Sequence, residues 1–166
     1  MTVTISGTNG ITLPNGATQS TGAGPAFSAY LGSNQTVTSG SWTKLNINTK
    51  VFDTNTNYDA TTNYRFTPTV AGYYQVNGSV YGGGSTNTTN VISAIYKNGS
   101  VYLTGSYISA SANPQSNQAS IISTLIYMNG STDYIEFYGQ ITGSGTCTIS
   151  SGSANTQFNA CLLRGS

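Results

Sequence analysis

The sequence predicts an all-β protein, a sandwich of about ten short antiparallel strands behind an N-terminal arm. Three observations carry this expectation. Thr, Ser, Asn and Gly make up more than half of the 166 residues, and 12 Tyr and 5 Phe join Val and Ile as the apolar surface to be buried. β-branched and aromatic side chains fit a pleated surface, while Asn and Gly tolerate the positive φ of tight turns. Apolar and polar residues alternate with a period of two over several stretches, and turn-forming clusters separate those stretches at regular intervals. No stretch carries an amphipathic helical period, so almost no helix is expected.

The length suits one domain with a single core and a short appendage. Charged residues are only 5% of the chain, far below the roughly 25% of an ordinary soluble domain. The aromatic and aliphatic content nevertheless argues against disorder. A net charge of +1, with Lys44, Lys50, Arg65, Lys97 and Arg164 scattered, argues against nucleic acid or an anionic membrane, since both require clustered cations. So little charge leaves solubility to hydroxyls, amides and the hiding of apolar faces in an oligomer. The N-terminus shows no charged and apolar leader pattern, and there is no run of 18 apolar residues. The expectation is a chain that is neither exported by a classical signal nor membrane-spanning.

Residues 1–24 read as an attachment arm. Thr2-Val-Thr-Ile-Ser can form one short strand, and then Gly7-Thr-Asn-Gly, Leu13-Pro-Asn-Gly and Ser20-Thr-Gly-Ala-Gly-Pro break the chain repeatedly, leaving no room for a core. Residues 25–166 form the compact domain. Phe27, Ala29 and Leu31 share one side of its opening strand. Short runs follow around Trp42 and around Leu45 and Ile47. After the Asn-rich loop before Arg65, a turn through Gly72 leads into a long strand. There Tyr74, Val76, Gly78 and Val80 face one way, and Tyr73, Gln75, Asn77, Ser79 and Tyr81 the other. Gly82 to Thr89 reads as a polar loop. Lys97-Asn-Gly-Ser100 between two apolar runs is a hairpin signal. Residues 119–128 are apolar on both faces, Ile121 and Leu125 against Ile122 and Ile126, as suits a strand between a core and a subunit interface. Asn129-Gly130 turns into a strand with Ile135, Phe137 and Ile141 inward and Tyr134, Glu136, Tyr138 and Gln140 outward. Thr146 to Ile149 allows a further short strand, and the chain closes on the alternating Phe158, Ala160 and Leu162.

Several of these landmarks together resemble a known family. Phe66-Thr-Pro-x-x-Ala71-Gly72-x-Tyr74, the opening Ala26-Phe-Ser-Ala29, the turn Tyr96-Lys-Asn-Gly99 and the closing Phe158-Asn-Ala-Cys-Leu-Leu163 resemble, in order, the C1q/TNF-like jelly-roll domain. The resemblance spans about residues 25–163. The loop before Arg65 is one residue longer than the family pattern, and Gly-Ser-Thr-Asp133 stands where the family has Gly-Asp. The run Ile5 to Gln19 resembles short segments of bacteriophage tail-fibre and other virion proteins. These resemblances imply a ten-stranded antiparallel jelly roll that assembles as a homotrimer, with residues 1–24 docking on another virion protein.

Without His, imidazole metal sites and Ser-His or Cys-His nucleophiles are excluded. Acid/base work would fall to Asp53, Asp59, Asp133 or Glu136. Asp53 and Asp59, with Asn55 and Asn57, also form the one weak candidate for a calcium site. Capping of turns by these carboxylates is the favoured alternative. Asp133 and Glu136 read as members of a solvated or interface face. No cofactor is implied and an enzyme is not expected. Cys147 and Cys161 allow a bridge between late strands, although two buried small hydrophobes is the favoured reading. The tyrosine density suits interfaces and sugar stacking alike. Tyr73, Tyr81, Tyr134 and Tyr138 are assigned to the trimer interface, and loops around Thr86, Asn113 and Thr142 to ligand recognition. The expected function is a non-enzymatic virion protein exposed on a bacteriophage particle, a fibre or tail adhesin binding a host-surface glycan. A trimeric head decoration protein and a secreted C1q-like binding module are the alternatives.

Overall fold

A computed structural model describes residues 24–106 and 117–166 in full, and strand assignments for the short segments named below among the others. No helix occurs among the described residues. In chain order the strands are β1 (Thr4–Ser6), β2 (Gly10–Thr12), β3 (Thr18–Gln19), β4 (Ala26–Tyr30), β5 (Gln35–Val37), β6 (Thr43–Lys44), β7 (Thr49–Asp53), β8 (Tyr58–Asp59) and β9 (Arg65–Phe66). They continue as β10 (Ala71–Gly84), β11 (Asn87–Lys97), β12 (Ser100–Thr104), β13 (Ile108–Ser109), β14 (Gln118–Asn129), β15 (Ile135–Ser144), β16 (Cys147–Ile149) and β17 (Gln157–Gly165).

Two antiparallel sheets form a sandwich. The first runs β14-β10-β17-β4-β7 and the second β12-β11-β15-β9-β8, five strands in each. Short strands extend both: β16 pairs with the end of β10 and β5 with β16 in the first sheet, while β13 and β6 pair with β11 and β15 in the second. This is the expected ten-stranded jelly roll with four short additions. Where the sequence allows one strand in the arm, three form a separate sheet in the order β1-β2-β3.

The alternation read from the sequence sets the register. β10 and β14 pair over twelve positions, from Ala71 opposite Asn129 to Gly82 opposite Gln118. A one-residue slip would turn every buried side chain outward. Tyr74, Val76, Val80, Ile122 and Ile126 consequently point into the core. Aromatic rings from both sheets fill the middle of the sandwich. Phe27 stacks on Tyr58 at 4.3 Å and meets Phe158 edge-on at 5.1 Å, while Phe137 stacks on Phe158 at 5.1 Å. Such offset and edge contacts add to simple area burial. Tyr58 keeps its hydroxyl satisfied by donating to the Ile47 carbonyl at 2.8 Å. Its burial and the neighbouring Asp59 charge push the phenol far above its ordinary range.

The hairpin at Asn98-Gly99 forms as the sequence indicates, with both residues at positive φ, 52° and 80°, the conformation a two-residue turn requires. The loop expected from Gly82 does not. β10 continues through Gly84, and β11 begins at Asn87. A Cβ at Gly82 would lie 2.3 Å from the Thr148 carbonyl oxygen, and one at Gly84 2.7 Å from that of Ser144. These glycines let two neighbouring strands approach the backbone closely, a tertiary demand that looks in sequence like a breaker.

Candidate functional site

The outer face of the first sheet gathers several exposed large apolar side chains. Tyr73 is 49% exposed, Ile121 65%, Leu125 49%, Tyr127 42% and Leu163 64%. Tyr73 and Tyr127 are cross-strand partners whose rings meet edge-on at 5.4 Å. The patch continues to the neighbouring edge, where exposed Tyr102 of β12 donates from its hydroxyl to the Leu125 carbonyl at 3.2 Å. Between these apolar residues runs a polar ladder. Gln75 donates to Ser123 at 2.9 Å, Ser123 to Asn77 at 2.9 Å, and Asn77 to Asn159 at 3.0 Å. A monomer seldom leaves large apolar side chains grouped in this way.

Of the four tyrosines assigned to one interface, Tyr73 and Tyr81 lie on this first sheet. Tyr138 belongs to the second, and Tyr134 immediately precedes that sheet's β15. One surface therefore cannot hold all four. Alternation identifies a residue as facing away from the core but does not say which sheet carries it. Ile121, Leu125 and Tyr127 complete the first face, and the signal for two of them was present in the double apolar character of β14.

The second sheet's outer face is an aromatic row. Tyr138 stacks on Tyr96 at 3.8 Å, and Trp42 meets Tyr96 edge-on at 6.5 Å. Partial burial raises the Tyr138 and Tyr96 phenols above their ordinary value, aided for Tyr138 by Glu136. Glu136 and Asp133, expected on a solvated or interface face, are covered within the chain itself. Lys44 pairs with Glu136, and Lys97 with Asp133 at 2.9 Å. Burial opposes ionisation of Asp133, but the Asn98 amide, Lys97 and the Asn129 N–H outweigh it and hold the carboxyl below its ordinary value. A carboxylate shielded by a cation and aimed donors remains charged.

Asp53 and Asp59 organise the loops that flank β8. Asp53 accepts the Asn57 and Tyr58 backbone N–H at 3.0 and 3.1 Å and lies 3.3 Å from Lys50 Nζ. Asp59 accepts the N–H groups of Thr61, Thr62 and Asn63 at 2.9, 2.9 and 3.0 Å, the Asn63 amide at 2.8 Å and the Thr61 hydroxyl at 3.1 Å. The Thr62 and Thr61 N–H groups are the main cause that drives the Asp59 pKa well below the carboxylate range. The turn-capping reading thus accounts for both carboxylates. Their oxygens already serve donors of their own loops, which disfavours a calcium site.

These loops frame a depression of about 600 Å³ beside Arg65. Hydroxyls and amides line it, including those of Thr61, Asn63, Thr67 and Thr69. Two residues of the frame, Thr56 and Tyr64, adopt left-handed φ values of 55° and 48°. Each costs about 1–3 kcal/mol, and strain of this kind gathers at ligand clamps and other functional sites. Arg65 lies over the Tyr134 ring, 4.5 Å from its centroid.

The expected recognition loops are placed unequally. Thr86 is exposed at the turn between β10 and β11, and its hydroxyl lies 3.1 Å from that of Ser144. Thr142 is not at a tip: it is half-buried within β15 and pairs with Asn90, the turn coming at Gly145. Asn113 lies outside the described residues. Cys147 and Cys161 are both free. Only Cys147 is buried, because Cys161 falls on the outward side of β17, opposite Gln75.

No family model matches the sequence, and no curated protein matches it either. Solved structures do match. Murine APRIL superposes with a TM-score of 0.62 at 10% identity, covering 84% of this chain and 99% of APRIL. The Eiger TNF of S. frugiperda gives 0.59 at 11% identity, covering 86% of this chain and 95% of its own. Vertex protein P5 of phage PRD1 gives 0.59 at 16% identity, covering 87% and 100%. The fold is the C1q/TNF-like jelly roll that the sequence motifs imply.

Proposed function

We propose that this chain is a non-enzymatic structural protein of a bacteriophage virion, assembled as a homotrimer through the outer face of its first sheet. The observation that carries the reading is the apolar patch of Tyr73, Ile121, Leu125, Tyr127 and Leu163, left bare on a lone copy. Three copies related by rotation can each cover part of another's patch and close without leaving a free end. The C1q/TNF-like resemblance implies that same trimeric arrangement. The likeness to a phage vertex protein and the tail-fibre-like run in residues 1–24 support placement on a virion, with those residues as attachment to another particle protein.

Within that reading, the trimer is displayed on the particle as a fibre or tail adhesin for a host-surface glycan. Head decoration is the second reading, favoured by the vertex protein likeness. Purified trimer incubated with host cells and, separately, with particles lacking this protein distinguishes the two. The adhesin reading expects saturable binding to cells that glycan-stripping treatment abolishes. Binding to particles alone identifies decoration, and binding to neither contradicts the virion-surface proposal.

A further inference from the structure

We infer that the depression beside Arg65 recognises an oxyanion, carboxylate or phosphate, carried on a polyhydroxylated ligand such as an acidic saccharide. The inference rests on the attachment reading above and names the ligand class and the residue that would select it. The Arg65 backbone is held in the ladder between Asp59 and Glu136, but its guanidinium makes no hydrogen bond or ion pair with any described residue and rests on the Tyr134 ring. A guanidinium stacked on a ring leaves its in-plane N–H groups free, in a fork that matches a planar carboxylate or a phosphate. Asp59 sits opposite Arg65 in the β8-β9 register, yet the two side chains form no ion pair. The Asp59 oxygens accept from neutral donors of their own loop, which turns them away from the guanidinium although Asp59 also lines the depression. The second cation of the depression, Lys50, is 3.3 Å from Asp53.

The remaining surroundings suit a ligand rich in hydroxyls. Threonine hydroxyls and asparagine amides can both donate and accept, as sugar hydroxyls do. The cup is held in shape before any ligand arrives, through the Asp53 and Asp59 hydrogen bonds and the left-handed Thr56 and Tyr64. Preformed donors spend little ordering entropy on binding. The location is also favourable: Arg65 belongs to the second sheet, while the apolar patch covered in the proposed trimer belongs to the first.

Isothermal titration of the full-length protein with three probes of matched length tests this: an oligogalacturonate, a glycerol-phosphate oligomer and a neutral oligogalactose. At least one anionic probe should bind roughly tenfold or more tightly than the neutral one, the discrimination expected of charge-assisted hydrogen bonds. Which anionic probe binds identifies carboxylate or phosphate as the recognised group. Arg65→Met should abolish the preference and Arg65→Lys should restore part of it. Thr69→Trp, which fills the cup from its exposed rim with Arg65 intact, should weaken binding as well. Equal binding of charged and neutral probes, an unchanged preference in Arg65→Met, or no binding of any probe would overturn the inference. Cell attachment that persists in both variants would sink this site alone, whereas loss of attachment by the wild type would sink the adhesin reading.

Discussion

Replacing Gly78 with alanine places a Cβ 2.5 Å from Cζ of Phe137 and 2.6 Å from its Cε2. The two residues belong to opposite sheets, so the contact probes the spacing of the sandwich itself. The ring must retreat by about 1 Å to reach an ordinary van der Waals distance. It has nowhere to go, because Phe137 is fully buried and stacks on Phe158, which in turn meets Phe27. Overpacking of this kind costs about 1–3 kcal/mol. Phe137→Leu alone removes ring contacts and costs less than the roughly 3–5 kcal/mol of a Phe→Ala change. Combined with Gly78→Ala, however, it clears the space that the new methyl needs. A double-mutant cycle by urea unfolding at fixed protomer concentration should therefore show the double variant more stable than the sum of the singles by at least about 1 kcal/mol. Additivity within about 0.5 kcal/mol would mean that the two sheets do not meet at this point.

Ile121→Asp should shift the assembly toward monomer. Covering the exposed 65% of this side chain is worth about 1–2 kcal/mol per protomer, so three copies make a roughly hundredfold or larger change in dissociation, which analytical ultracentrifugation reads directly. Native protein should leave Cys147 unreactive toward a thiol reagent, and Cys161 should react faster in Ile121→Asp than in wild type; equal rates would count against shielding of that face. Asp59 titrates below its ordinary value in the folded chain, so its stabilisation is complete above about pH 4 and is lost as pH falls toward the folded value. The difference in urea midpoint between wild type and Asp59→Asn should accordingly be largest near neutrality and shrink in acid, and a pH-independent difference would refute the role given to its loop hydrogen bonds.

Much of the fold was legible because strand alternation reports on burial directly. Tyr74, Val76 and Val80 face the core, and the two apolar faces of β14 separate into buried Ile122 and Ile126 and bare Ile121 and Leu125. The capping role of Asp59 was legible as well, since an Asp in a Thr- and Asn-rich loop favours local hydrogen bonds to its own backbone. Assignment of outward residues to one sheet or the other was not. Tyr134 and Tyr138 carry the same local signal as Tyr73, and only long-range pairing separates them. Covered Glu136 was missed for a similar reason, because its partner Lys44 lies 92 positions away in the sequence. Arg65 gave no signal at all. Its unpaired state arises from the Asp59 loop drawing that carboxylate away and from Tyr134 arriving beneath it, and neither leaves a local pattern.

The most direct test is the mass of the native protein in solution, measured by light scattering across a dilution series. The account predicts a species of three times the 17.2 kDa chain, with the Tyr73 and Tyr127 face protected from hydrogen exchange or footprinting. A stable species of one chain mass, with that face freely labelled, would contradict it.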